Sequence, residues 1–154
     1  MTVIIDNGDG NYNIAYKRFI CSTGNDTPYG TYYTPAKYRW KELMGPSYGQ
    51  YSTRIVGGIL FHSVPYKKRN PYTLSANAFN QLGTTCSHGC IRLMCIDAKW
   101  IYDNCGLGTR VVSQLLLRFL QIKLGIQLIQ IYRKYLIETP QEIISRGVII
   151  IKNK

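Results

Sequence analysis

The chain has 154 residues, 45% of them hydrophobic, and sets 19 Lys and Arg against 8 Asp and Glu for a formal charge of +11. That length is one domain's worth and can bury a core without staples, and a second domain would not fit comfortably within it. The charge points to a polyanion, but there is no basic helix with interleaved base-stacking aromatics and the 13 tyrosines are scattered, which argues against nucleic acid.

In chain order, Val3–Asp6 reads as a short strand, and the turn residues Asn7–Asn11 should close a hairpin with Tyr12–Ile20. Cys21–Pro28 is turn-rich, and Gly30–Thr34 alternates like a further strand. Pro35–Tyr51 places Trp40, Met44, Tyr48 and Tyr51 among Lys37, Arg39 and Lys41, with Gly45-Pro46 as a breaker. It reads as a loop, either lining a cleft with Tyr51 or forming ordinary surface with its rings tucked inward. Gly57-Gly58 then enters the apolar run Ile59–Val64, a buried strand that ends with His62 and Ser63 ahead of Pro65. Pro65–Thr85 reads as an enlarged loop, in which Ser75 N-caps a short helix over 76–81. Cys95–Asn104 has helical spacing through Ile96, Trp100 and Ile101, with Asp97 in the first turn, Gly106 past the end, and Trp100 in the core. Arg110–Val112 starts a last strand.

Chemistry concentrates in Cys86-Ser87-His88-Gly89-Cys90-Ile91-Arg92. A thiol attacks as thiolate, which a nearby imidazole and backbone N–H groups promote. Gly89 permits a tight bend before Cys90, so that the N–H groups of Gly89 and Cys90 can face a developing oxyanion. The competing reading is a tight turn with a buried, inert cysteine. The chain holds two histidines, His62 and His88, so any Cys–His chemistry draws on these. The five cysteines, at 21, 86, 90, 95 and 105, are odd in number and include no Cys-x-x-Cys pair, which argues against a disulfide framework. Cys86, His88, Cys90 and Cys95 do not match the spacing of common zinc sites, and neither metal nor cofactor is expected.

Ser87-His88-Gly89-Cys90-Ile91-Arg92, preceded by His62-Ser63 and by Thr27-Pro28-Tyr29-Gly30-Thr31-Tyr32, resembles the L,D-transpeptidase (YkuD-like) catalytic domain over residues of about 2–112. Asp97–Asp103 and Gly108–Val112 resemble the helix and strand after the nucleophile. Two departures are the long interval between His62 and Ser87 and the extra thiol of Cys86. The resemblance implies a mostly β, sandwich-like domain with one or two short helices. It implies that Cys90 forms a thioester with a peptidoglycan stem peptide and that His62 is the base, oriented by the Ser63 carbonyl. Gly89 and Cys90 would supply the oxyanion donors, and His88 would shape the pocket and polarise the thiol, the alternative being that His88 is itself the partner of Cys90. Arg92 would pair with a substrate carboxylate, beside Ser87, Gly57, Gly58 and Tyr51 as substrate-binding positions. An amine acceptor gives a 3→3 cross-link, water gives an L,D-carboxypeptidase, and a decayed site would leave a wall-binding domain. Carbapenem-type β-lactams are the expected inhibitors, an anionic wall polymer the use of the charge, and a monomer the expected state.

No basic n-region and apolar h-region open the chain. Since the family works outside the cytoplasmic membrane, the resemblance implies a cell-envelope or extracellular protein whose signal or anchor lies upstream. From Ser113 the resemblance stops. Residues 113–154 are Leu/Ile-rich and basic, with Arg118 and Lys123 making Leu115–Ile131 too charged for a plain transmembrane span. A membrane-lying amphipathic helix is one reading. The preferred one is a frameshifted C-terminus, because Lys123–Lys134 can be back-translated so that a shifted frame yields a Trp-Asp-Pro-Thr-Asp-Pro run like that found after the catalytic domain in some family members.

Overall fold

A computed structural model describes residues 1–6, 12–115 and 146–152; the expected turn at 7–11 and the tail segment 116–145, with Lys123–Lys134, lie outside the described residues. The fold is mostly β with two helices, in two five-stranded sheets. The first sheet begins with β1 (Thr2–Asp6) antiparallel to β2 (Tyr12–Arg18), as the hairpin reading predicts. The second opens with the short β3 (Cys21–Ser22), after which β4 (Gly30–Tyr33) returns to the first.

Pro35–Tyr51 is not a loop. It forms β5 (Lys37–Glu42) and the start of β6 (Tyr48–Val56), paired antiparallel around a turn in which Gly45 takes φ +76°. Tyr38-Arg39-Trp40-Lys41 alternates ring and cation with the period of two that a strand requires, a pattern obscured by the charge and the Gly-Pro breaker. Trp40 meets Tyr66 edge-on at 5.2 Å, and the Arg39 guanidinium lies 3.9 Å from the Tyr51 ring centre.

β7 (Ile59–Ser63) is the predicted buried strand. The Pro65–Thr85 stretch carries a 3₁₀ turn (Pro71–Thr73) and the helix α1 (Ala76–Asn80), whose Ser75 hydroxyl accepts from the Ala78 N–H at 3.3 Å as the capping signal predicts. β8 (Ile91–Leu93) leads into α2 (Cys95–Asn104), whose bounds match the sequence reading. Its face differs. Ala98 and Ile101 are buried with Cys105 just past the end, whereas Ile96 is 72% exposed and Trp100 only half-buried, against Phe19 and Tyr16. The buried stripe passes through the small Ala98, which a search for large apolar residues misses. Among the described residues no helix is long and apolar enough to cross a membrane.

β9 (Arg110–Leu115) starts where it was read from sequence but is not the last strand. β10 (Arg146–Lys152) lies between β1 and β9, parallel to the first and antiparallel to the second. The boundary expected at 112/113 therefore falls inside the sheet. The β-branched run Val148–Ile151 suits a central strand, a local signal submerged when the basic, apolar tail is read as one segment. Val148 and Ile150 are 1% exposed and join Val111, Phe61, Ile91, Leu93, Ala98 and Ile101 in a core shared by both sheets and α2. Ile150→Ala should therefore cost about 2–5 kcal/mol in urea unfolding; an unchanged midpoint would put the strand outside the sheet.

Candidate active site

The site is set by strand pairing. β6 and β7 form a hairpin in which Val56 pairs with Ile59, leaving the two-residue turn Gly57-Gly58 with Gly57 at φ +51°, a conformation glycine adopts without strain. β7 then runs parallel to β8, with Phe61 beside Ile91, His62 beside Arg92 and Ser63 beside Leu93. Side chains alternate along a strand, so Phe61 and Ile91 enter the core while His62 and Arg92 share the opposite face. Cys90, two residues before Arg92, continues that phase. Its Sγ lies 3.5 Å from the carbonyl of Gly58 at the hairpin tip.

His62 is 2% exposed. Its Nδ1 lies 2.5 Å from the Ser63 carbonyl, so Nδ1 carries the hydrogen and Nε2 is left as the ring's proton acceptor. Burial lowers its pKa to about 4, the Ser63 bond opposes the shift, and the Arg92 guanidinium adds to it. The Ser63 hydroxyl accepts from the Gln50 N–H at 2.8 Å and donates to the Val64 carbonyl at 2.9 Å, which ties this strand end to β6. Gly49 closes on the ring: a Cβ there would stand 2.9 Å from His62 Cβ and 3.0 Å from Cγ. At Cys90 burial pushes the thiol up, while a backbone bond from Leu60 and the Arg92 charge pull it back. Both shifts favour the neutral forms, thiol and imidazole.

The turn carrying Cys90 is strapped by residues 23–27. Thr23 O accepts from the N–H groups of Cys86 and Ser87 at 3.1 and 3.2 Å, and the Asp26 N–H donates to His88 O at 2.8 Å. Thr27 Oγ1 donates to Gly89 O at 2.7 Å and accepts from the Gly24 N–H at 2.9 Å. Within the turn, the Ser87 hydroxyl donates to Cys90 O at 2.6 Å. Gly24 admits no side chain, since a Cβ would meet the His88 backbone at 2.3 Å.

Of the residues singled out from sequence, His62, Arg92 and Cys90 share this face, the carbonyls of Ser63 and Gly58 meet His62 Nδ1 and Cys90 Sγ, Gly57 completes the hairpin turn, and Ser87 and Gly89 shape the loop. His88 is exposed, and its carbonyl rather than its ring is tied into the loop. Tyr51 makes its ring contacts elsewhere: its ring meets Tyr102 at 5.7 Å, under Arg39 and Lys99, and packs against the core. It also takes φ +51°, an uncommon conformation for a tyrosine. Cys86 lies 3.8 Å from an Arg92 terminal nitrogen, and Cys95 reaches 3.0 Å to Gln50. Among the described residues no three His, Cys, Asp or Glu side chains gather as a metal would need. Thr27, Gly24 and Gly49 are the positions sequence reasoning missed. Thr27 lay within the Thr-Pro-x-Gly segment and reads there as part of a turn, while Gly49 carries no local signal because its neighbour comes from another strand.

The fold and site together define a β-sandwich domain with a histidine on one strand and, in phase on the same face, a cysteine just before the parallel neighbouring strand. A family model for the L,D-transpeptidase catalytic domain (YkuD) matches residues 1–112, and the chain belongs to that family. It is 43% identical over 90 residues to YciB of Bacillus subtilis (strain 168), which carries an L,D-transpeptidase name; the match spans 56% of this chain and 45% of that protein. Solved structures that resemble it include an L,D-transpeptidase from Mycobacterium tuberculosis H37Rv, at 31% identity and a TM-score of 0.45, over 61% of this chain and 41% of the other. L,D-transpeptidase 3 from the same species, in complex with a faropenem-derived adduct, aligns at 28% identity and a TM-score of 0.45, over 61% and 43% of the two chains. The chain thus spans less than half the length of these relatives.

Two measurements probe this geometry. Unfolded His62 takes up its proton near 6.5 and folded His62 only near 4, so the unfolded chain binds more protons between those values. The stability from the buried neutral ring is full above pH of about 6.5 and should fall by on the order of 3 kcal/mol as pH drops through the window; urea midpoints across it should vary less in His62→Gln. Gly49→Ala forces the imidazole aside and should cost about 1–3 kcal/mol by the same assay; an unperturbed midpoint would mean the ring is not held there.

Proposed function

We propose that the domain is a peptidoglycan L,D-transpeptidase that forms 3→3 cross-links between stem peptides through a Cys90 thioester. The observation that carries this reading is the parallel pairing of β7 with β8, which sets His62 beside Arg92 and in phase with Cys90. With both partners neutral at rest, His62 takes the thiol proton as sulfur attacks, rather than holding a preformed thiolate. Cys90 Sγ bonds to the carbonyl carbon between the third and fourth stem residues, the C–N bond breaks, and the departing D-amino acid nitrogen takes that proton from His62. An acceptor amine from a neighbouring stem then attacks the thioester and gives a proton to His62, and sulfur leaves and is reprotonated. Support for a substrate carboxylate at Arg92 comes from its Nε, which has no hydrogen-bond partner among the described residues. The +11 charge suits an anionic wall polymer, and such a substrate puts the domain in the cell envelope.

Carbapenem treatment should give a single mass adduct, which peptide mapping places on Cys90 and Cys90→Ser abolishes. Loss of the base should slow acylation by about 10²–10⁴-fold in His62→Ala, with a much smaller effect in His88→Ala. The opposite ranking would make His88 the base, and the absence of any adduct on a folded chain would remove the proposal. Feeding tetrapeptide stems with and without an amine acceptor then separates cross-linking from release by water.

A further inference from the structure

We propose that Thr27 is a positioning residue for acyl transfer, its hydroxyl aiming the Cys90 N–H at the site of the developing oxyanion. This rests on the acyl-transfer reading of Cys90 and deepens it. A trans peptide is planar, so the carbonyl of one residue and the N–H of the next point in opposite directions. Anchoring a carbonyl therefore aims the following N–H. The Asp26 N–H holds His88 O at 2.8 Å and so directs the Gly89 N–H, and Thr27 Oγ1 holds Gly89 O at 2.7 Å and so directs the Cys90 N–H. Both donors come from the strap and hold their carbonyls on its side of the turn, which turns the two N–H groups away from it.

Thr27 is the element of this device that a side chain supplies. Its hydroxyl is fixed at both ends, accepting from the Gly24 N–H at 2.9 Å while donating to Gly89 O. The residue is 3% exposed, so bulk water cannot substitute for it. The peptide it anchors follows Gly89, the residue in the turn with the widest backbone freedom and the one whose conformation most needs an external tie. Close packing reinforces the tie, since a Cβ on Gly89 would meet Asp26 O at 3.0 Å and Ile59 Cδ1 at 2.7 Å.

Acylation needs an oxyanion donor, whereas alkylation by iodoacetamide is a displacement at carbon that forms no oxyanion. In the full chain, Thr27→Val should slow carbapenem acylation by about 10–100-fold, a partial loss compared with removing a donor outright. The carbapenem concentration at half-maximal rate should hardly change, the alkylation rate of Cys90 should stay at the wild-type value, and Thr27→Ser should restore acylation. Equal slowing of both reactions in Thr27→Val, or none in acylation, overturns the assignment. Should Thr27→Val fail to fold, Thr27→Ala against Thr27→Ser makes the same comparison, as both lose the methyl and one keeps the hydroxyl. A chain that folds only with a hydroxyl at position 27 makes the contact structural and overturns the proposal. A wild-type chain that alkylates but is never acylated overturns the transpeptidase reading and this inference with it; normal wild-type acylation with an indifferent Thr27→Val overturns the inference alone.

Discussion

The parallel register between β7 and β8 is the constraint on which the site depends. Two short strands, five and three residues long, lie side by side so that His62 neighbours Arg92 and Phe61 neighbours Ile91. Because side chains alternate, one pairing both plants Phe61 and Ile91 in the core and turns His62 and Arg92 to the opposite face. A slip of one residue would exchange those roles, setting the guanidinium in the apolar core and an isoleucine on the polar face, so the hydrophobic core holds the register. Chemistry and folding are thereby specified by the same contacts. The 28 positions separating His62 from Cys90 are a connection whose length leaves that register untouched, and the added Pro65–Thr85 segment can form its own 3₁₀ turn and helix at the surface.

Electrostatics follow from where that pairing puts each group. An imidazole with its pKa lowered to about 4 and a thiol pushed upward are the opposite of a thiolate–imidazolium pair. Arg92 explains part of this, since its charge disfavours imidazolium while favouring thiolate. Burial adds to it at His62 and outweighs it at Cys90. A resting neutral thiol is less prone to oxidation and to stray alkylation than a thiolate, and becomes a nucleophile only when a carbonyl carbon is close enough for proton transfer and attack to proceed together. The Ser63 carbonyl supports that order by holding the tautomer that keeps Nε2 free.

Local signals in the sequence were sufficient for β1, β4, β7 and α2, because alternation, flanking glycines and the periodicity of 3.6 are properties of contiguous residues. The same locality explains the misses. The β5–β6 hairpin was hidden by cations on its exposed phase, and Ile96 looked like core because the true stripe passes through Ala98. Thr27, Gly49 and Gly24 matter through partners 62, 13 and about 64 positions away, respectively Gly89, His62 and His88. A threonine beside a proline and a glycine before a strand residue look ordinary until the chain is folded. Cys90, His62 and Arg92 stand out in the sequence because their pattern matches a family; from composition alone an inert cysteine in a turn was the simpler reading.

The last strand links the site to a part of the chain far from it. β10 joins β1–β2 on one side to β9–β4 on the other, so without it the first sheet is two separate antiparallel pairs. Each pair would present unpaired backbone groups along the new edges and lose Val148 and Ile150 from the shared core. Those side chains pack in the same cluster as Phe61, Ile91 and Leu93, whose burial fixes the register of β7 against β8. His62 and Arg92, which the proposed reaction draws on, sit on the other sheet, so β10 contributes no group to that proposed chemistry. It acts on the chemistry through packing: a sheet that frays at β10 loosens the face on which Phe61 and Ile91 rest, and with it the alignment that holds imidazole and thiol on one side. Residues 146–152 therefore bear on whether the site is held in place, whatever the origin of the segment before them.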